Sequence, residues 1–221
     1  MSAEEIIKGL YDETLVGNAP AVLELTKRGL AEGMGPDTIL FEALIPALEE
    51  VGARFERGDF FVPEMLISGR AMSGALEVLR PLLAETGAET IGTFVMGTVK
   101  GDVHDIGKNL VNIMLEGAGF EVIDLGVQTS PEKFVAAVEE HKPDILGMSA
   151  FLTTTMPMFK VNMHELTKAG LRDKVIVMVG GAPVTQEYAD AVGADGYAAD
   201  ASTAVRKAKE LIAQKRASQN A

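Results

Sequence analysis

The sequence predicts an N-terminal four-helix bundle followed by an α/β flavodoxin-like (Rossmann-like) domain built on a five-stranded parallel sheet. Three observations carry this expectation. Residues 1–86 place apolar side chains at helical spacing only. From residue 90 to about 214, short apolar runs alternate with amphipathic stretches. Between the two lies a polar segment, Ala84-Glu-Thr-Gly-Ala-Glu-Thr90, with the character of a linker. A chain of 221 residues is long enough to give each part its own core.

The first helix opens on a capping box, Ser2 with Glu5 three positions later, and runs to about residue 16. Gly17-Asn18 ends it and caps the second, where Pro20 is tolerated because first-turn amides have no partner to lose. The second helix stops near Gly33, Gly35-Pro36-Asp37 opens a third, and Pro46 interrupts the third with an expected kink. The fourth begins at Val62-Pro63, with Met65, Met72, Leu76, Leu79 and Leu83 on one face. Beyond the linker, strands are expected at 91–96, 122–125, 145–148 and 175–179, with a weaker one at 196–199. Helices are expected at about 105–118, 131–141, 157–169, 185–192 and 201–214. That alternation indicates a sheet covered on both faces, and its rhythm fits the strand order 2-1-3-4-5. The polar tail 214–221 is expected to fray.

Composition narrows the function. A net charge of -12 repels phosphate backbones, so no nucleic-acid partner is expected. No apolar run approaches the roughly 20 residues of a membrane helix, and the acidic start is unlike a secretory signal, so the expectation is a cytoplasmic protein. The absence of cysteine excludes disulfides, thiolate metal sites and cysteine nucleophiles. Three histidines remain as nitrogen ligands: His104, His141 and His164.

In open parallel sheets ligands bind beyond the carboxyl ends of the strands, near the switch point. The relevant loops contain Gly101-Asp-Val-His-Asp-Ile-Gly107, Ser149-Ala-Phe-Leu-Thr-Thr-Thr155 and Gly180-Gly-Ala-Pro183. Asp102 stands two residues before His104, close enough to accept a proton from one ring nitrogen and leave the other free to bind. The second loop offers four hydroxyls in seven residues. Gly180-Gly181 clears side chains from a place where a bulky planar group could approach. Each feature alone has a plainer meaning: a cap or packing histidine, an ordinary turn, a tight bend. No Walker or Gly-x-Gly-x-x-Gly spacing is present, and without tryptophan little is available to sandwich a flavin.

Taken together, Asp102-x-His104-x-x-Gly107, Ser149-x-Phe151 and Gly180-Gly181 resemble the Asp-x-His-x-x-Gly … Ser-x-Leu … Gly-Gly signature of cobalamin-binding domains. The stretch from Phe55 to Leu66 resembles the helical cap of the cobalamin module of methionine synthase. Over nearly the whole chain the similarity is to stand-alone corrinoid proteins of methylamine, methanol, glycine betaine and aromatic O-demethylation methyltransferase systems. The resemblance implies a methylcobalamin-type corrinoid bound base-off, with His104 as the lower cobalt ligand and Asp102 as its hydrogen-bond partner. It places Val103, Asp105, Ile106 and Gly107 in the same cofactor-binding loop. Thr155 takes the place of a serine that continues the proton relay, and Ser149 and Thr153 are implied to contact the nucleotide tail, with Gly180 and Gly181 lining its tunnel. Phe55, Val62, Met65 and Leu66 are implied to roof the corrin, although Met65 and Leu66 serve equally as bundle core. Two departures stand out: Phe151 for leucine, which reshapes the tail pocket, and Thr155 for serine, which adds a methyl but keeps the hydroxyl.

The implied function is a methyl carrier, not a complete enzyme. A substrate-specific methyltransferase loads it, an acceptor methyltransferase unloads it to tetrahydrofolate or coenzyme M, and a reductive activase is a third expected partner. Methyl donor, acceptor and lower base stay open. Rival readings are a cobalamin-dependent sensor and the small cobalamin subunit of a radical mutase. The acidic charge and the early start of the cap weigh against the first, and the presence of a cap against the second. A flavodoxin-like protein binding some other ligand would require the three motifs to coincide by chance.

Overall fold

The computed structural model describes residues 1–86 and 90–219, with helices α1–α5 followed by an alternation of strands β1–β5 and helices α6–α10. The chain divides into two compact units, Met1–Thr90 with Ile113–Gly119, and Ile91–Asn112 with Phe120–Ala221. The division passes through α6, which the expected extents assign whole to the second domain.

In the first unit, α1 (Ala3–Leu15) begins at the Ser2/Glu5 capping box, with both reciprocal bonds made. Asn18 caps α2 (Ala19–Ala31). The expected third helix is a composite: α3 (Pro36–Ile39), a π turn (Leu40–Leu44) and α4 (Ile45–Glu56). The π turn sits just before Pro46, with the Ile45 amide donating to Leu40 O. A proline ring collides with the carbonyl four residues back, and a turn widened by one residue relieves that collision. α5 (Val62–Thr86) runs through Pro81, so residues 84–86 of the expected linker are helical, and 87–89 lie outside the described residues. Met65, Met72, Leu76 and Leu79 are buried along α5, as the apolar spacing predicts. The Ser68 hydroxyl donates to Leu15 O at 3.1 Å, tying α5 to the end of α1.

The second unit is a five-stranded parallel sheet in the order β2-β1-β3-β4-β5. Its strands are β1 (Thr93–Thr98), β2 (Glu121–Asp124), β3 (Ile145–Ser149), β4 (Ile176–Gly180) and β5 (Gly196–Ala198). The three central strands are buried along nearly their whole length, whereas edge strand β2 alternates. This is the pattern of a sheet covered on both faces. Helices α6 (Ile106–Gly117), α7 (Pro131–His141), α8 (Pro157–Lys168), α9 (Gln186–Val192) and α10 (Ala201–Gln219) alternate with the strands. Ser130 and Thr185 cap α7 and α9. The tail expected to fray instead continues α10 to Gln219, and residues 220–221 lie outside the described residues. Lys215 Nζ donates to Lys174 O at 3.2 Å and Arg216 to Ile91 O at 2.8 Å.

Register positions the site. Thr98 pairs with Ser149, Ser149 with Gly180 and Gly180 with Ala198, so four strands end on one rung. The loops after β1, β3 and β4 therefore leave from the same level, at the switch point between β1 and β3.

Candidate functional site

Thr98 ends β1 fully buried, and its hydroxyl donates to His104 O at 3.0 Å. The Asp102 amide closes a turn on Val99 O at 3.1 Å, with Gly101 in the left-handed region at φ +85°. This turn draws Asp102 inward, fully buried, and leaves His104 outside with 43% of its side chain exposed.

Asp102 is the hub of the loop. Its Oδ1 accepts from the His104 amide at 3.0 Å and lies 2.7 Å from His104 Nδ1. Its Oδ2 accepts from the amides of Phe151 at 2.8 Å and Leu152 at 3.2 Å, and from Thr155 Oγ1 at 2.7 Å. Burial alone raises the carboxyl's pKa. The bonds from the Thr155 hydroxyl, from the His104 amide and ring, and from the Phe151 amide outweigh it and hold the group well below the usual carboxylate range. An ionised carboxylate only accepts, so Nδ1–H donates to it, and in the neutral ring the lone pair is then on Nε2. Thr155 Oγ1 is also 2.9 Å from Leu152 O, and its single proton serves one acceptor at a time. We expect Thr155→Val to destabilise the protein by about 1–2 kcal/mol in urea denaturation, with Thr155→Ser retaining most of the stability. A loss near zero would mean that Asp102 does not need this donor.

The Phe151 ring stacks on His104, with centroids 4.3 Å apart and planes 25° from parallel. Around the histidine, Val103, Ile106, Phe151 and Leu152 are all exposed. Four exposed apolar side chains beside one imidazole are unusual for a solvated loop and suit a large, partly apolar ligand. A Cβ placed on Gly107 would meet nothing within 4 Å, which leaves the approach open there.

The remaining sequence-predicted residues are distributed as follows. Asp105 and Thr153 are exposed, and Ser149 is half-buried at the end of β3. Gly180 ends β4, where a Cβ would lie 3.1 Å from Ala198 O. At Gly181 (φ +127°) a Cβ would lie 1.9 Å from Ala150 O, so the strand ends themselves require this glycine. In the helical unit Phe55 and Leu66 are half-buried, Val62 is exposed beside exposed Phe61, and Met65 is buried as a core residue is. The sequence did not single out Thr98, or the Leu152 amide, or the Lys108–Asp124 pair described below. Lys108 carried a signal: it shares a buried face of α6 with Asn112 and Leu115, at i, i+4 and i+7.

Residues 92–206 match the B12 binding domain model, and residues 6–80 a second B12 binding domain model. The chain belongs to the B12-binding family. Its cofactor is cobalamin or a related corrinoid. This corrinoid-binding protein is 43% identical to dimethylamine corrinoid protein 1 of Methanosarcina acetivorans, over 96% of this chain and 100% of that one. It is 39% identical to trimethylamine corrinoid protein 1 of the same organism, over 96% and 99% of the two chains. Among solved structures it superposes on a chain of the methanol:cobalamin methyltransferase complex of Methanosarcina barkeri. There the TM-score is 0.84 at 32% identity, covering 95% of this chain and 80% of that one. No helix among the described residues is long and apolar enough to cross a membrane.

Proposed function

We propose that this corrinoid-binding protein is a cytoplasmic methyl carrier in which His104 Nε2 is the lower cobalt ligand. A methylamine-specific methyltransferase loads it, an acceptor methyltransferase unloads it to tetrahydrofolate or coenzyme M, and a reductive activase is its third partner. The observation that carries this reading is the His104–Asp102 arrangement. An exposed imidazole has its proton held on Nδ1 by a buried carboxylate and its other nitrogen free, among exposed apolar side chains.

The residues fit the group. One imidazole is a poor site for a bare ion, but it would suit a metal already held within a macrocycle. Val103, Ile106, Phe151 and Leu152 give that macrocycle an apolar surface, and the open space at Gly107 admits it. When bound, the corrinoid supplies a cobalt that accepts and releases a methyl group. Asp102 orients the imidazole and fixes its tautomer, and the Thr155 hydroxyl extends the hydrogen-bonded path from the carboxylate. Ser149, Thr153, Gly180 and Gly181 are assigned to the nucleotide tail, and Phe55, Val62, Met65 and Leu66 of the helical unit to the face that carries the methyl group. The names of the dimethylamine and trimethylamine relatives support a methylamine-class donor over methanol, betaine or methoxy-aromatics.

Two measurements test the proposal. Wild-type protein and His104→Ala are reconstituted with hydroxocobalamin, and their absorption spectra are expected to differ as histidine-ligated and unligated forms. Identical unligated spectra would sink the ligand assignment. With the bound cobalt first brought to Co(I) by a chemical reductant, methyl-labelled dimethylamine and a dimethylamine-specific methyltransferase are expected to leave label on the reconstituted wild-type protein. Transfer from methanol alone would overturn the donor class.

A further inference from the structure

Apart from Asp102, Lys108 is the only charged residue buried among the described residues, at 2% exposure. It stands in the first turn of α6, where the helix dipole disfavours a cation, and burial of an ammonium adds a desolvation penalty. Its Nζ donates to Asp124 Oδ2 and, at 2.7 Å, to Asn109 Oδ1. Asp124 ends β2 with 40% of its side chain exposed, and its other oxygen accepts from the Gly126 amide at 2.8 Å.

That pair lies on a seam which leads to the histidine. Gly126 O accepts from the Thr98 amide at 2.9 Å, and the Thr98 hydroxyl donates to His104 O at 3.0 Å. The Gln128 amide donates to Asp102 O at 3.0 Å, and Thr129 bridges Val99. The segment after β2 therefore backs the whole His104 loop, with the Lys108 side chain as its clamp at the α6 end. A buried ion pair is a poor stabiliser compared with apolar packing, and its best-attested use is to fix position.

We infer that Lys108 and Asp124 form a positioning pair which holds the α6 end of the His104 loop and thereby sets how firmly the imidazole engages cobalt. The inference rests on the His104 ligand assignment. Asp102 grips the loop from the β3 side, and Lys108 grips it from the β2 side. With either grip released, the imidazole spends less time at the ligating position.

The test uses full-length protein reconstituted with hydroxocobalamin, in wild-type, Lys108→Met, Asp124→Asn and His104→Ala forms. The readout is the fraction of bound corrinoid in the histidine-ligated spectrum at fixed pH and the midpoint of its displacement by added cyanide. Lys108→Met is expected to stay folded, to bind corrinoid, and to lower the displacing cyanide concentration roughly 3–10-fold, the mark of weaker ligation. Asp124→Asn, at a half-exposed position, is expected to move it in the same direction. Asp124→Asn leaving the midpoint at the wild-type value would overturn the inference even if Lys108→Met failed to fold. So would an unshifted midpoint in folded Lys108→Met. A wild-type spectrum indistinguishable from His104→Ala would instead sink the underlying ligand assignment, so the two failures read differently.

Discussion

Asp102→Asn is expected to destabilise the apo-protein by about 2–5 kcal/mol, the effect of leaving buried donors without an acceptor. The carboxylate receives the His104 amide and ring on one oxygen, and the Phe151 amide, the Leu152 amide and the Thr155 hydroxyl on the other. An amide accepts on one side only. Whichever way it turns, its NH2 faces at least two donors. The same substitution should reshape the acid limb of stability. The folded-state pKa of Asp102 is depressed below the unfolded value of about 3.9, so folding favours its charged form. That contribution is fully present above about pH 4 and is lost as the pH falls towards the folded value. Urea denaturation at pH 7 and at pH 3 should therefore show a smaller gap between wild type and variant at the lower pH. A variant within about 1 kcal/mol of wild type at pH 7 would show that the loop does not depend on this hub.

Gly181→Ala is expected to be similarly severe, and for a purely steric reason. A Cβ there would stand 1.9 Å from Ala150 O and 2.8 Å from Ala150 C, on a backbone at φ +127°. Backbone atoms cannot swing aside as a flexible side chain can. Strain of about 1–3 kcal/mol from the conformation and about 1–3 from overpacking suggest a total loss of about 2–6 kcal/mol. Thermal denaturation should show a fall of more than about 5 °C. Gly180→Ala, whose Cβ would meet Ala198 O at 3.1 Å without a positive φ, is the milder comparison. Equal effects from the two would argue against the contact with Ala150.

Much of this architecture was legible in the sequence, because buried parallel strands read as unbroken apolar runs. The strand at 145–148 and the helix at 131–141 were recovered almost to the residue. β1 begins and ends two residues later than its apolar run suggests. Thr98 belongs to it, its polarity hidden by the bond to His104 O, and Gly97 belongs because a Cβ there would press on Phe134 at 2.9 Å. The π turn before Pro46 had no signal beyond the proline itself, which announces a disturbance but not its form. In the site, the approach of Asp102 to His104 was readable because the two are neighbours in sequence. The amides of Phe151 and Leu152 were not, because backbone donors carry no residue identity and arrive from 49 and 50 positions away. The stacking of Phe151 on His104 was hidden for the same reason, although the residue itself stood out. Gly181 stood out as a residue type, but the close approach of Ala150 O that demands a glycine there carries no mark in the sequence.

The distance along the chain between Asp102 and its donors also bears on the order of folding. A contact that closes some fifty residues carries a large entropic penalty and forms only after the segments on either side have been brought together. Here the bringing together is the pairing of β3 beside β1, without which Asp102 has no partners on Oδ2. The carboxylate that orients the imidazole thus acquires its full set of donors only once the centre of the sheet exists. A nascent or locally unfolded copy offers a loosely tethered histidine and no organised surface around it. The environment that holds the carboxylate ionised is therefore a product of the assembled sheet and not of the Asp102–His104 spacing alone.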